Sequence, residues 1–374
     1  MNLGKSLLLS VVMLSSFAST KDYMHVAFDS MMELSPYLVD EKKFTDPKSE
    51  EKIHTYIDNL LMAFKGVHSS NKLKTLDYAP SLSVMRQHLE ETKIAFQHKQ
   101  KFFARNRLNA TQSLCITCHA QLKTKASQTV LSQMRAKAWK MKSDFERAES
   151  FYVLRDYPTS IRYYEKYIEA SLEKKKQIGF ISFSKIEGAF KRVLSYYTKT
   201  SFKPEKALSF VETYKGNKVL PVEFREDLNQ WSRDLNKWVN DKKLMKTNSV
   251  KDLETFYLAK IEKQRESSRS IIDLMVLSGR VLNILKYHRS NSEEPIALYW
   301  LGYADRALNF SYYYSMADMY LVDCIEKFPR HEYGKKCLNQ YKESIQMGFT
   351  GSAGENIPDD LKNRIKKYEQ LIGN

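Results

Sequence analysis

The chain has 374 residues, enough for two domains or for one domain followed by a repeat array. With 60 Lys and Arg against 44 Asp and Glu, its formal charge is +16, so long-range attraction favours acidic partners or anionic surfaces. Only 12 Gly and 9 Pro are present, and alternating strand patterns bounded by turn clusters are scarce, which excludes a β-rich architecture and predicts an all-α fold.

In chain order, residues 1–20 read as a secretory signal peptide. Lys5 precedes the apolar run Leu7-Leu8-Leu9-Ser10-Val11-Val12-Met13-Leu14, and Ser16, Ala18, Ser19 and Thr20 supply the small residues of a cleavage region. The run is too short for a stable anchor and no later stretch approaches the required length, so no transmembrane anchor is expected. Association with a membrane surface stays open. Export to a bacterial periplasm is the expectation, and it argues against DNA or RNA as a partner despite the basic balance.

Residues 21–142 read as four helices. The first carries Met24, Phe28, Met31 and Ser35 on one face, and Ser35-Pro36 is expected to stop it. The second starts at Asp46-Pro47, a favoured N-cap and N1 pair, and its stripe is Ile53, Ile57, Leu60, Leu61, Phe64 and Val67. The third follows Pro80 with Leu82, Met85, Leu89 and Phe96 on one side. The fourth approaches through Leu108 and Leu114 and is expected to continue through Leu122, Ala126, Val130, Met134 and Ala138. Four such helices make a bundle whose core could hold a flat apolar cofactor.

Within the fourth helix, Cys115-Ile116-Thr117-Cys118-His119 spells C-x-x-C-H, the attachment pattern of a c-type haem. Each thiol can add to a vinyl group of the porphyrin, and the adjacent His119 is then held where it can bind the iron axially. A zinc site would want two more ligands at short spacing, and none follow. The pattern occurs once, so one covalent haem c is expected. Candidates for the opposite face of the iron are His88, His68, Met31 and Met24; the alternative for each Met is core filling. A strong sixth ligand makes an electron carrier, whereas a weak or absent one makes a small-molecule binder.

The segment resembles the cytochrome c-prime and c-556 group of four-helix-bundle cytochromes. The resemblance is carried by the position of Ser113-Leu114-Cys115-Ile116-Thr117-Cys118-His119-Ala120 after three helices. It implies a haem held in the bundle and, in the c-556 type, a Met of the first helix as the distal ligand. A fourth helix reaching toward residue 142 departs from that pattern.

Residues 143–374 read as a run of helix pairs. Ser143-Asp144-Phe145-Glu146 is a capping box and sets the boundary. The stretch Ala148-x-x-Phe151 with Asp156-Tyr157, Ser160, Tyr164 and Tyr167 resembles a tetratricopeptide repeat, with small residues where helices cross and aromatics between them. Trp300-Leu301-Gly302 with Ala317, Leu321, Cys324 and Pro329 suggests a later unit, and Ala207 another. Phe224, Leu228, Trp231, Leu235 and Trp238 form a stripe on a helix of their own, and residues 241–249 read as a polar connection. An α-solenoid is therefore expected, the alternative being an unrelated helical domain. If Pro329-Arg330-His331 turns the chain, Cys324 and Cys337 lie nearly equidistant from the turn, and a disulfide is expected in an oxidising compartment; two buried thiols are the alternative.

Taken together, the expected protein is a periplasmic mono-haem cytochrome that passes single electrons and holds a protein redox partner, acidic by charge, through its repeats. No nucleophile-base constellation, phosphate loop or second metal cluster is found, so an enzyme is not expected. Two alternatives stand: a haem-based sensor of a small gas such as NO or CO, and a cell-envelope scaffold with structural haem.

Overall fold

The computed structural model describes residues 20–66, 82–122, 125–178, 183–262, 270–287, 292–308, 315–351 and 354–373. Among them the fold is all-α, relieved by one two-residue antiparallel pair, Thr350–Gly351 with Gly354–Glu355. Residues 1–19, where a signal peptide is expected, and also His68, lie outside the described residues.

The first helices are α1 (Thr20–Val39), α2 (Glu41–Thr45), α3 (Glu50–Gly66), α4 (Leu82–Gln97) and α5 (Lys101–Leu122). They close a ring of neighbours: α1 on α3, α3 on α4, α4 on α5, and α5 on α1. The predicted stripes form its core, with Ile53, Ile57, Leu60, Leu89 and Leu108 all fully buried. Each such side chain contributes about 1.5–3 kcal/mol relative to exposure.

Three local expectations for this segment are corrected. Helix α1 runs through Pro36 to Val39 instead of stopping there. Leu34 and Leu38, one turn apart, are both buried in the core, and their burial offsets the roughly 3 kcal/mol that an internal proline costs. A short helix, α2, follows, capped by the Asp40 carboxylate on the amides of Lys42 and Lys43 and anchored by the buried Phe44. Asp46 then caps a single 3-10 turn, Pro47–Ser49, that leads into α3.

The third correction concerns the fourth helix. It is two helices, α5 and α6 (Lys125–Trp139), folded back on each other. Gln112 of α5 shares one cavity with Lys137, Ala138 and Met141, whereas a straight helix would hold residues 112 and 138 about 39 Å apart. The reversal lets Leu131, Met134 and Ala138 of α6 pack against Met32 on the outer face of α1 and against Phe151, Val153 and Leu154.

The Ser143 box is formed: the Ser143 hydroxyl accepts from the Glu146 amide, and the Ser143 amide donates to the Glu146 carboxylate. From there helices follow as sequential neighbours: α7 (Asp144–Val153), α8 (Tyr157–Ile178), α9 (Ser184–Ser195), α10 (Pro204–Tyr214) and α11 (Val222–Val239). Ser160, fully buried, donates to the Ala148 carbonyl at 2.8 Å, so small residues do stand where α7 and α8 cross. All five stripe residues of α11 are buried. The expected polar connection instead contains α12 (Lys242–Lys246), because Asp241 caps it and Leu244 reaches the core.

The chain continues through α13 (Val250–Leu253), α14 (Ala259–Glu262), α15 (Ile271–Tyr287), α16 (Glu294–Ala307), α17 (Ala317–Lys327), α18 (Glu332–Gly348) and α19 (Asp359–Gly373). Two π turns interrupt the regular helices, Tyr196–Thr200 after α9 and Glu254–Leu258 after α13. Gly302 of α16 sits directly on Leu321 of α17, where a Cβ would lie 2.6 Å from a Leu321 methyl, so any side chain here would require Leu321 to shift.

A disulfide joins Cys324 to Cys337 across the α17–α18 turn, with a Cα–Cα distance of 6.3 Å. Closing a loop of 13 residues this way stabilises by about 3 kcal/mol on chain-entropy grounds. Thermal unfolding of Cys337→Ser, or of the reduced protein, is expected to show a loss of about that size; an unchanged midpoint would rule the bond out as a stabiliser.

Residues 21–142 and 143–374 do not form separate cores. One apolar cluster runs from α1 through α19, and the last helices return to cover α4 and α5.

Candidate functional site

Cys115, Cys118 and His119 lie in the last two turns of α5. Residues three and four apart share a helix face, so the backbone brings positions 118 and 119 onto the face of Cys115. Cys115 is half-buried and packs against the apolar core one residue beyond the buried Leu114. The side chains of Cys118 and His119 lie outside the described residues.

The register of α1 against α5 is set by Arg105, which donates to the Leu38 carbonyl at 3.0 Å and to the Val39 carbonyl at 3.4 Å. Seven residues on, Gln112 lines a cavity with Met32, Ser35 and Pro36, so the two helices are antiparallel. Continued at about 1.5 Å per residue from the Arg105–Leu38 pairing, this register brings Met24 level with position 119 and Met31 level with Gln112, about one turn before it reaches the motif. Met31 is buried and Met24 half-buried. Two small buried residues, Ala27 of α1 and Ala63 of α3, stand at the same end of the bundle. There Tyr23 packs against Gly66, whose added Cβ would fall 2.2 Å from the ring.

His88 is placed elsewhere. Its Nε2 lies 3.0 Å from the Arg107 carbonyl, about 16 Å of helix axis from position 118. A carbonyl only accepts, so the proton sits on Nε2, and Nδ1 is a buried lone pair without a hydrogen-bond partner. Burial, reinforced by the Arg107 charge, lowers its pKa well below the usual histidine range, and the ring is neutral. Of the four distal candidates, Met24 is level with the motif, Met31 lies about one turn short of it, and His88 is farther away; His68 lies outside the described residues.

Sequence reasoning missed what surrounds His88. Arg107, buried, donates to Glu91 at 2.7 Å and also pairs with Asp318 of α17. Glu91 further accepts from Arg364 of α19 at 2.9 Å and from the Tyr341 hydroxyl of α18 at 2.5 Å. Asp318 is held by Ser344 at 2.6 Å. The two carboxylates divide one guanidinium unequally. Burial would raise Glu91, but Arg107 and Arg364 outweigh it and hold it below the ordinary carboxylate range. Asp318 is pushed up, because burial and the Glu91 charge exceed its share of Arg107. Arg107 lies on the same helix as the cysteine motif, and through it the network ties that helix to α4 and to the C-terminal helices.

A haem fits the donor set at the end of α5: two thiol positions and an imidazole position on one helix face, at the edge of an apolar core. No group of three or more His, Cys, Asp or Glu suited to a metal ion occurs among the described residues. No family model, curated protein or solved structure matches this chain.

Proposed function

We propose that the chain is a mono-haem c-type cytochrome that transfers single electrons. The observation that carries this reading is the run Cys115-Ile116-Thr117-Cys118-His119 on the last turns of a bundle helix, with Cys115 at the core edge. The bound haem would supply a one-electron iron couple. Cys115 and Cys118 would hold it covalently, and His119 would donate a nitrogen to the iron. The apolar packing of Leu114, Ala27 and Ala63 would keep water from that end of the bundle. The thioether of Met24 or Met31 would be a further ligand for the iron, and such a ligand would favour a carrier over a gas sensor. Export to a periplasm is part of the same proposal, because haem attachment of this type needs that compartment. The single motif provides for one electron and not for multi-electron catalysis.

The test is an absorption spectrum of the exported protein, oxidised and reduced, with a pyridine haemochrome assay. One haem per chain is expected, resistant to acid-acetone extraction, and lost when Cys115 and Cys118 are both replaced by Ser. Colourless protein with both thiols open to alkylation would refute the reading. In the same spectra, Met24→Ala or Met31→Ala is expected to turn a low-spin haem high-spin, whereas His88→Ala leaves the spin state unchanged. Rapid CO binding by the unaltered reduced protein would favour the gas binder instead.

A further inference from the structure

On the surface made by α6, α7 and α8, Trp139 is 49% exposed, whereas Trp231, Trp238 and Trp300 are at most 4% exposed. Its ring does not swing freely. Phe151 meets it edge-on at 4.8 Å, and Tyr163 at 6.0 Å. Three cations crowd the same Tyr163 ring: Arg147 at 5.8 Å, Arg162 at 5.6 Å and Lys166 at 5.9 Å. One carboxylate, Asp144, pairs with two of them, with Arg147 at 2.8 Å and with Lys166 at 3.0 Å. Arg135, Lys140 and Lys142 extend the positive rim, with Asp156 3.9 Å from Arg135.

We propose that this face is a docking surface for an acidic segment of another protein. Trp, Tyr and Arg are the side chains on which protein interfaces concentrate their binding energy. Here they are already packed, so little ordering is lost when a partner arrives. Arg135, Arg147, Arg162 and Lys166 outnumber the two carboxylates that pair with them, Asp144 and Asp156, and leave positive charge that carboxylates of a partner would neutralise. A lipid surface fits less well, since among the described side chains of α6 Trp139 is the one large apolar group that is exposed, with polar neighbours such as Gln133, Arg135 and Lys137. The inference does not depend on the presence of haem.

Because Trp139 is the one exposed tryptophan of four, its emission and its quenching by acrylamide report this face directly. The probe is a short poly-L-glutamate peptide, titrated at low salt into the full chain. A blue shift and protection from acrylamide are expected on binding. The double variant Arg162→Gln with Lys166→Gln should weaken binding roughly fivefold. Lys366→Gln with Lys367→Gln removes the same charge from exposed positions of α19, and should leave affinity within about twofold. Equal losses in the two variants would overturn the proposal, as would unchanged Trp139 emission. So would binding to phosphatidylglycerol vesicles without binding to the peptide.

Discussion

Arg107→Ala is expected to destabilise the protein by about 3–5 kcal/mol, read as a fall in the midpoint of chemical denaturation. The loss comes from what stays behind. Glu91 and Asp318 are both buried, and without the guanidinium two carboxylates would face each other across a dry interface. Arg364 would still reach Glu91, at 2.9 Å, but Asp318 would keep only the Ser344 hydroxyl. Adding Glu91→Gln and Asp318→Asn to Arg107→Met should recover most of the loss, since replacing a whole buried set is often close to neutral. A triple variant as unstable as Arg107→Ala would show that packing, not charge, is responsible.

The same network fixes the sign of the acid response. Glu91 has a depressed pKa, so its contribution is complete above the ordinary carboxylate value and is lost as pH falls through the folded one. Asp318 has a raised pKa, so it protonates first on acidification, and its unfavourable burial is relieved at that point. Asp318→Asn should therefore cost less than Glu91→Gln at neutral pH.

Gly279→Ala should be the second most damaging change, at about 3 kcal/mol, the upper end for overpacking. Gly279 lies inside α15, where alanine would ordinarily gain about 0.5–1 kcal/mol in helix propensity. That gain is outweighed here. An added Cβ would stand 2.6 Å from the Thr198 carbonyl and 2.8 Å from the Lys199 Cα, both backbone atoms of a π turn. The turn cannot retreat, because the Thr198 hydroxyl donates to the Leu194 carbonyl at 2.8 Å and Lys199 is paired with the buried Asp305. Urea denaturation decides the matter: a variant as stable as the parent, or more so, would mean the π turn yields.

The two results probe features that differ in how far sequence reveals them. The stripes of α3 and α11, the Ser143 box and the small residues at the α7–α8 crossing follow from local spacing, which packs one helix on its sequence neighbour. Helix α5 is different. Asn106, Arg107, Asn109, Thr111 and Gln112 are polar, yet all are buried. Their coverings come from α1, α4, α6 and the last three helices, and Arg107 meets Asp318 at a separation of 211 residues. No periodicity encodes a pairing of that range. The break after Leu122 was equally hidden, since the apolar positions on either side keep helical spacing through residues 123 and 124. The cysteine motif is legible because it is three residues at fixed spacing; which side chains stand level with it is not, because that depends on the register between α1 and α5.

The return of α17–α19 onto α4 sets an order of assembly. Glu91 obtains Arg364 and Tyr341 from the final helices, so the amino-terminal half stays incomplete until nearly the whole polypeptide has emerged. Nascent or clipped chains ending before residue 332 would leave Glu91 with Arg107 but without Arg364 or Tyr341, in an open seam, and quality-control proteases would find them there.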